Sequence, residues 1–296
     1  MGVNISGVLP YKEIALHELK GKRIAIDAFI HLYQFLTSIN LTDKQGHAIS
    51  HLSGIFYRTI HFLSLGIKPV YVFDGPFLEI KKHEKFVKDV PEARTTSTIS
   101  LDMIHETKQL LGALGVPVVQ APAEGEAQAA HMCARGDVYA VASQDDDTLM
   151  FGAKKMLKNA LFTKKKKAKK GYIHTGIHLY DLKEVLSALN MDYNQFIIFC
   201  MLAGTDFNPG IEGLDQKNAL RCVQKYKTFT RVIEKIKWQY GYLPKAVYEH
   251  IKTMPVTNKY SLRWAPVNQE EVIRLLVQEH DFNRKKVLEA LEALER

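Results

Sequence analysis

Short apolar runs that end on, or lead straight into, acidic residues dominate the first half of the chain. Lys22-Arg23-Ile24-Ala25-Ile26-Asp27 is one, and Pro69-Val70-Tyr71-Val72-Phe73-Asp74-Gly75 is another. Val116 to Val119 is followed by Ala121-Pro122-Ala123-Glu124-Gly125-Glu126, and Val138 to Ala142 runs into Gln144-Asp145-Asp146-Asp147. Runs this short, apolar throughout and bounded by turn signals, read as strands covered on both faces. Helical periods separate them: Phe29 to Leu36, His51 to Leu65, Leu101 to Leu114 closed by Gly115, and a helix from Glu124 to Ala134. Strands alternating with helices predict an α/β fold with a three-layer, mainly parallel sheet. After residue 180 the pattern turns mostly helical.

The 296 residues, 46% apolar and 24% charged, exclude a disordered tail or a fibre. No apolar run reaches membrane-spanning length, and the first residues lack the basic and apolar regions of a secretory signal. Cys133, Cys200 and Cys222 form no CxxC pair, so buried reduced thiols are expected rather than a zinc site or a disulfide framework. The net charge of +8 hints at a polyanionic partner.

In a parallel sheet the carboxyl ends of the strands share one edge, and that edge hosts sites. Asp27, Asp74, Glu124, Glu126, Asp145 and Asp147 should therefore converge, and Asp206, after the apolar helix Phe196 to Leu202, could join them. Carboxylates crowded together repel unless a cation neutralises them. Mg²⁺ suits such a set, and two ions about 4 Å apart clamp a phosphodiester during hydrolysis. Any one of these acids serves equally well as a helix cap; four strand-end sites in one chain favour metal binding. Asp146, in the middle of the triplet, is expected to point away in a solvated or capping role.

Cations lie nearby. Lys81, Lys85 and Lys88 share a helix face soon after Asp74 and could hold a phosphate, although a solvated face has the same pattern. The run Lys164 to Lys170 reads as a flexible, solvated loop. Gly210 and Gly213 form a Gly-x-x-Gly turn between two helices, where backbone amides could meet a phosphate, and Lys217 follows on the next helix. Tyr33 could stack on a base, with packing as its default role.

These segments resemble flap endonucleases, structure-specific 5′ nucleases, over nearly the whole chain. The resemblance rests on Met1-Gly2-Val3, Ala25-Ile26-Asp27-Ala28, Ser50 to Thr59 and Lys68 to Gly75. It continues in Val119 to Ala130, Ala142 to Asp147, Gly204 to Pro209 and Pro255 to Tyr260. It implies a PIN/resolvase-like sheet and Mg²⁺-dependent cutting of 5′ flaps, with 5′-3′ exonuclease activity, in DNA replication and repair. A bubble- or junction-cutting nuclease of the same superfamily and a non-catalytic branched-DNA-binding protein are the alternatives.

The resemblance places seven metal-binding carboxylates on Asp27, Asp74, Glu124, Glu126, Asp145, Asp147 and Asp206. It places catalytic basic residues on Lys81 and Lys88, and DNA contacts on Gly2, Tyr33, Gly210, Gly213 and Lys217. It further implies two Mg²⁺ ions with Mn²⁺ as a substitute, and a K⁺ ion at a helix-two-turn-helix over about 202–223. The implied partners are branched DNA (5′ flap, nicked or gapped duplex) and, in the family, a sliding clamp. A monomer and an intracellular location are expected, cytoplasmic in an archaeal cell and nuclear in a eukaryotic one. The expected organisation is a single nuclease domain over 1–296: an N-terminal region over 1–90, a shortened helical arch over 91–107, an internal region over 108–225 and a helical segment over 226–296.

Three departures from the pattern stand out. The arch is short, so free and end-blocked flaps should be cut comparably. Asp215 stands where a second turn glycine is usual, and its charge should oppose the duplex backbone. The sequence contains no clamp-binding peptide of the Gln-x-x-Leu-x-x-Phe-Phe kind, so either such a segment lies beyond it or the protein works without a clamp tether.

Overall fold

A computed structural model describes residues 3–38, 40–75, 99–160, 165–168, 171–174 and 176–294. The chain opens with β1 (Lys12–Ile14), β2 (Arg23–Asp27), α1 (Ala28–Ser38), α2 (Ser50–Ser64) and β3 (Lys68–Phe73). The middle carries α3 (Leu101–Ala113), β4 (Val118–Gln120), α4 (Gly125–Arg135), β5 (Ala140–Ala142), α5 (Asp147–Met150) and β6 (Lys155–Lys158). A hairpin of β7 (Lys165–Ala168) and β8 (Gly171–His174) precedes β9 (Ile177–Asp181). Helices follow: α6 (Leu182–Ala188), α7 (Tyr193–Ala203), α8 (Gln216–Tyr226), α9 (Phe229–Lys235), α10 (Pro244–Lys252), α11 (Gln269–Ile273) with a π-helical extension, and α12 (Arg284–Glu292).

The seven-stranded sheet has the order β1-β9-β6-β5-β2-β3-β4. The β6, β5, β2, β3 and β4 strands run parallel, while β9 pairs antiparallel with both β6 and β1. From β2 the chain builds outward through β3 and β4, then returns to place β5 on the other side of β2. The strand order therefore reverses between β2 and β5, the position where open α/β sheets form their crevice.

Alternation along the strands fills two layers. Ile24, Ile26, Tyr71 and Phe73 face α1, α2 and α3, which are joined there by Val272, Leu275, Val287 and Leu291 of the C-terminal helices. Ala25, Val70, Val72 and Val141 face α4 through Ala129, Ala130, Met132 and Cys133. A further core gathers Val3, Ile5 and Leu9 with α6, α7 and α8, so α7 is buried nearly all round. The α7 start is fixed by a capping box between Asp192 and Gln195.

Beyond α10 the chain lies extended across the sheet domain. The Gln128 amide bonds both backbone groups of Thr257, the Trp264 indole donates to the Pro69 carbonyl, and Ala265 N donates to Gly115 O. Among the described residues no single helix is long and apolar enough to cross a membrane.

The principal strands and helices follow the sequence expectation, with β4 and β5 trimmed to three residues each. One reading is corrected. Within the lysine run, Lys165–Ala168 is not loop but a strand paired antiparallel with Gly171–His174. The β1, β6 and β9 strands were not anticipated, because each has only three to five residues and mixed polarity. Residues 101–107, part of the segment expected to replace the arch, form the first half of α3, and Thr107 is fully buried.

Candidate active site

Parallel pairing brings the acids together. Asp27 ends β2, Asp74 follows β3, Glu124 and Glu126 straddle the start of α4 beyond β4, and Asp145 and Asp147 follow β5. Register aligns these ends: Asp27 pairs with Val72, Ile26 with Ala142, and Phe73 with Gln120. Gly75 draws the β3 end against the turn before Glu124. A Cβ at that glycine would sit 2.4 Å from the Pro122 carbonyl oxygen, so no larger residue fits without moving backbone.

Fixed donors orient most of these carboxylates. Asp27 Oδ1 accepts from the amides of Phe29 and Ile30 at 2.8 and 3.1 Å, so this acid also caps α1. Asp74 Oδ1 accepts from Gly125 N at 2.6 Å. Glu126 Oε1 accepts from Ser143 Oγ at 2.7 Å, and Asp147 Oδ1 accepts from Val3 N at 2.9 Å. Asp206 lies in the turn after α7, which is pinned by Asn208 Nδ2 donating to Met201 O and Thr205 Oγ1 donating to Asn208 Oδ1.

The proximity of these groups shows in their protonation. Burial, and then the charges of Asp147, Asp27 and Asp145, push the Glu126 carboxyl well above its ordinary range. Burial, followed by the charge of Asp145, lifts Asp147 to about 8, with Asp206 adding to the rise. Burial and then Asp206 raise Asp145. Asp74 is joined to this group through Gly125, which lies between Glu124 and Glu126. Among the described residues, no three acidic, histidine or cysteine side chains are close enough to enclose one ion. The carboxylates stand within Coulombic reach of one another.

Asp146 does point away from the cluster, but it is not solvated. It is fully buried, pairs with Lys158 at 2.6 Å, and accepts from Ile5 N and Ser6 Oγ. At the N-cap position of α5 it makes no side-chain capping bond. Sequence reasoning also missed Ser143, whose signal was a small hydroxyl residue at the end of β5. Asp215 is the N-cap of α8, accepting from Asn218 N at 2.7 Å.

Tyr33 is 53% exposed on α1. Gly210 has φ of 87°, and a Cβ there would meet the Ala203 carbonyl oxygen at 2.8 Å, so the turn requires glycine. Gly213 also has positive φ, at 76°. Exposed Lys217 lies on the first turn of α8 beside Asp215, Gln216 and Leu214 in a shallow concave surface. Gly2, Lys81 and Lys88, with residues 91–98 of the expected arch, lie outside the described residues.

The sequence matches the model of the XPG N-terminal domain over residues 5–91 and that of the XPG I-region over 115–206. Flap endonuclease 1 of Pyrococcus abyssi is 41% identical, covering 100% of this chain and 94% of the relative. That of Thermococcus onnurineus is 40% identical, covering 100% and 95%. The solved flap endonuclease-1 from Methanococcus jannaschii superposes with a TM-score of 0.83 at 33% identity, covering 99% of this chain and 98% of that one. The catalytic core of Rad2 in complex with DNA substrate has the same fold, with a TM-score of 0.78 at 24% identity and 96% of both chains covered. With the acidic edge in place on this fold, the chain belongs to the flap endonuclease family.

Proposed function

We propose that this chain is a structure-specific 5′ flap endonuclease that hydrolyses DNA phosphodiesters at single-strand/double-strand junctions and also works as a 5′-3′ exonuclease. The observation that carries the proposal is the convergence of carboxylates on the carboxyl edge of the sheet at its switch point, in a chain that matches flap endonucleases over its whole length. Flap endonuclease 1 relatives match at 40% and 41% identity over the whole chain, which favours flap cutting over the bubble- or junction-cutting alternative.

The donor set fits a hard divalent cation. It is all oxygen, and burial and mutual repulsion raise three of its members, a cost that a dication relieves. Asp27, Asp74, Glu124, Glu126, Asp145, Asp147 and Asp206 would hold two Mg²⁺ ions, with Mn²⁺ as a substitute. When bound, the ions supply Lewis-acid polarisation of the phosphodiester and charge neutralisation.

The protein's own residues do the rest. Ser143, Val3 and Gly125 fix the orientation of three carboxylates through donated hydrogen bonds. Tyr33 offers a ring for a base to stack on, and Lys81 and Lys88 are assigned to hold the scissile phosphate. The turn with Gly210 and Gly213, followed by Lys217, is assigned to the duplex backbone, with K⁺ as its companion ion. Cleavage leaves a 5′-phosphate and a 3′-hydroxyl. Branched DNA is the substrate, taken by a monomer.

The test is a double-flap DNA with a labelled 5′ flap. Cutting at the flap base with Mg²⁺, lost with EDTA and in Asp145→Ala, is the expected result. Tight binding with no cleavage of any branched substrate would instead make the chain a non-catalytic DNA-binding protein. Streptavidin on the 5′ end should leave the cleavage rate within a few-fold. A large loss would show that the short arch still threads a free end.

A further inference from the structure

Two adjacent aspartates grip one stretch of chain. Asp147 Oδ1 accepts from Val3 N at 2.9 Å, and Asp146 Oδ2 accepts from Ile5 N, two residues on, also at 2.9 Å. The Asp146 grip is closed by a buried polar network. Lys158 Nζ lies 2.6 Å from Asp146 Oδ1 and donates to Ser6 Oγ at 2.5 Å, while Ser6 Oγ donates to Asp146 Oδ2 at 2.8 Å. The Lys158 side chain is 12% exposed and its ammonium lies 5.9 Å from the Tyr180 ring centre.

A largely buried ion pair is a poor way to add stability, because desolvating two charges offsets most of their attraction. It does define geometry, since each charge must find its partner and its remaining hydrogen bonds at one place. Here the geometry it defines is that of residues 3–6. The backbone N–H that reaches Asp147 belongs to this segment, and Val3 and Ile5 are themselves buried at 2% and 0% exposure.

We propose that Asp146, with Lys158 as its buried counter-charge, is a positioning residue for the metal site: by seating the N-terminal segment it places the Val3 amide on Asp147 and so fixes the direction of that carboxylate. The proposal rests on the reading of Asp147 as a metal-binding residue. Its logic is a lever with two points of attachment. With the Ile5 attachment lost, the Val3 amide no longer has a set position, and Asp147 meets an incoming cation with its oxygens free to rotate.

Two double variants separate positioning from stability and from charge. Asp146→Asn with Lys158→Met removes both charges but keeps a side-chain acceptor for Ile5 N. Asp146→Leu with Lys158→Met removes the same charges and the acceptor too. Both leave the local net charge unchanged, so any difference in cation affinity between them comes from the hydrogen bond.

Mn²⁺ binding without DNA is read by titration with electron paramagnetic resonance, alongside hydrogen exchange at the Val3 and Ile5 amides and the melting temperature. The Asn/Met protein should bind Mn²⁺ within about two-fold of wild type. The Leu/Met protein should bind roughly ten-fold more weakly and exchange its Val3 amide faster, with a melting temperature close to that of Asn/Met. Equal Mn²⁺ affinity in the two variants overturns the positioning role. So does an affinity loss that simply tracks the melting temperature. Asp147→Ala is the control for the underlying reading: wild-type Mn²⁺ affinity in that variant removes Asp147 from the metal site, a different failure from that of the lever.

Discussion

Asp147 holds its proton more tightly in the folded protein than in the unfolded chain, because burial and Asp145 lift it to about 8 from an ordinary value near 3.8. The folded state therefore binds more protons across that interval, and metal-free stability falls as pH rises from about 4 to about 8. The melting temperature of the metal-free protein should drop over this window, less steeply in Asp147→Asn, and Mg²⁺ should recover most of the loss at pH 8. His31 works in the opposite sense. It is fully buried, neither ring nitrogen has a hydrogen-bond partner among the described residues, and burial, then Arg58, lowers it to about 3. Between about 6.5 and 3 the unfolded chain takes the proton and the folded one does not, so stability falls with acid at about 1.4 kcal/mol per pH unit from this residue. His31→Leu should flatten that dependence in urea unfolding compared at pH 7 and 5. The acids of the site were legible because a strand end sets both their position and their direction. Asp146 was not, since its partners Ile5 and Ser6 lie 141 and 140 residues away and no local pattern announces them.

Among the elements, α8 shows how one residue answers two demands. The sequence reading gives Asp215 a charge opposing a duplex backbone, and the structure gives it the N-cap of the helix that carries Lys217. Asp215→Gly keeps most of the cap function and should cost only a few tenths of a kcal/mol, whereas Asp215→Ala should cost about 1 kcal/mol. If the charge opposes DNA, Asp215→Gly should also bind nicked duplex more tightly by fluorescence anisotropy. Unchanged affinity assigns Asp215 to capping alone. The helices here were legible in two ways, α2 from its 3.6-residue apolar period and α7 from an unbroken apolar run. The extended passage through Thr257, Tyr260 and Trp264 was not, because its order comes from Gln128, Asp137 and Pro69 rather than from any repeat of its own. The lysine run was misread for a related reason: charge density argued for a solvated loop, while pairing with Gly171–His174 decided for a strand.

For the molecule as a whole, the net charge of +8 coexists with an acidic edge, so DNA must be drawn in by surfaces away from the carboxylates. Cleavage at low substrate should fall steeply between about 50 and 200 mM salt, and Lys217→Ala should reduce the logarithmic salt slope by about one. The sheet order also sets a timetable. Asp27 and Asp74 leave the ribosome early, but the second strand flanking β2 arrives only with residues 140–142, the counter-charge for Asp146 with residue 158, and Asp206 later still. At about 5–20 residues per second a nascent chain spends several seconds with only part of its acidic set and no assembled edge. The connectivity that separates β2 from β5 in sequence thus postpones the assembly of the acidic edge until most of the polypeptide has been made.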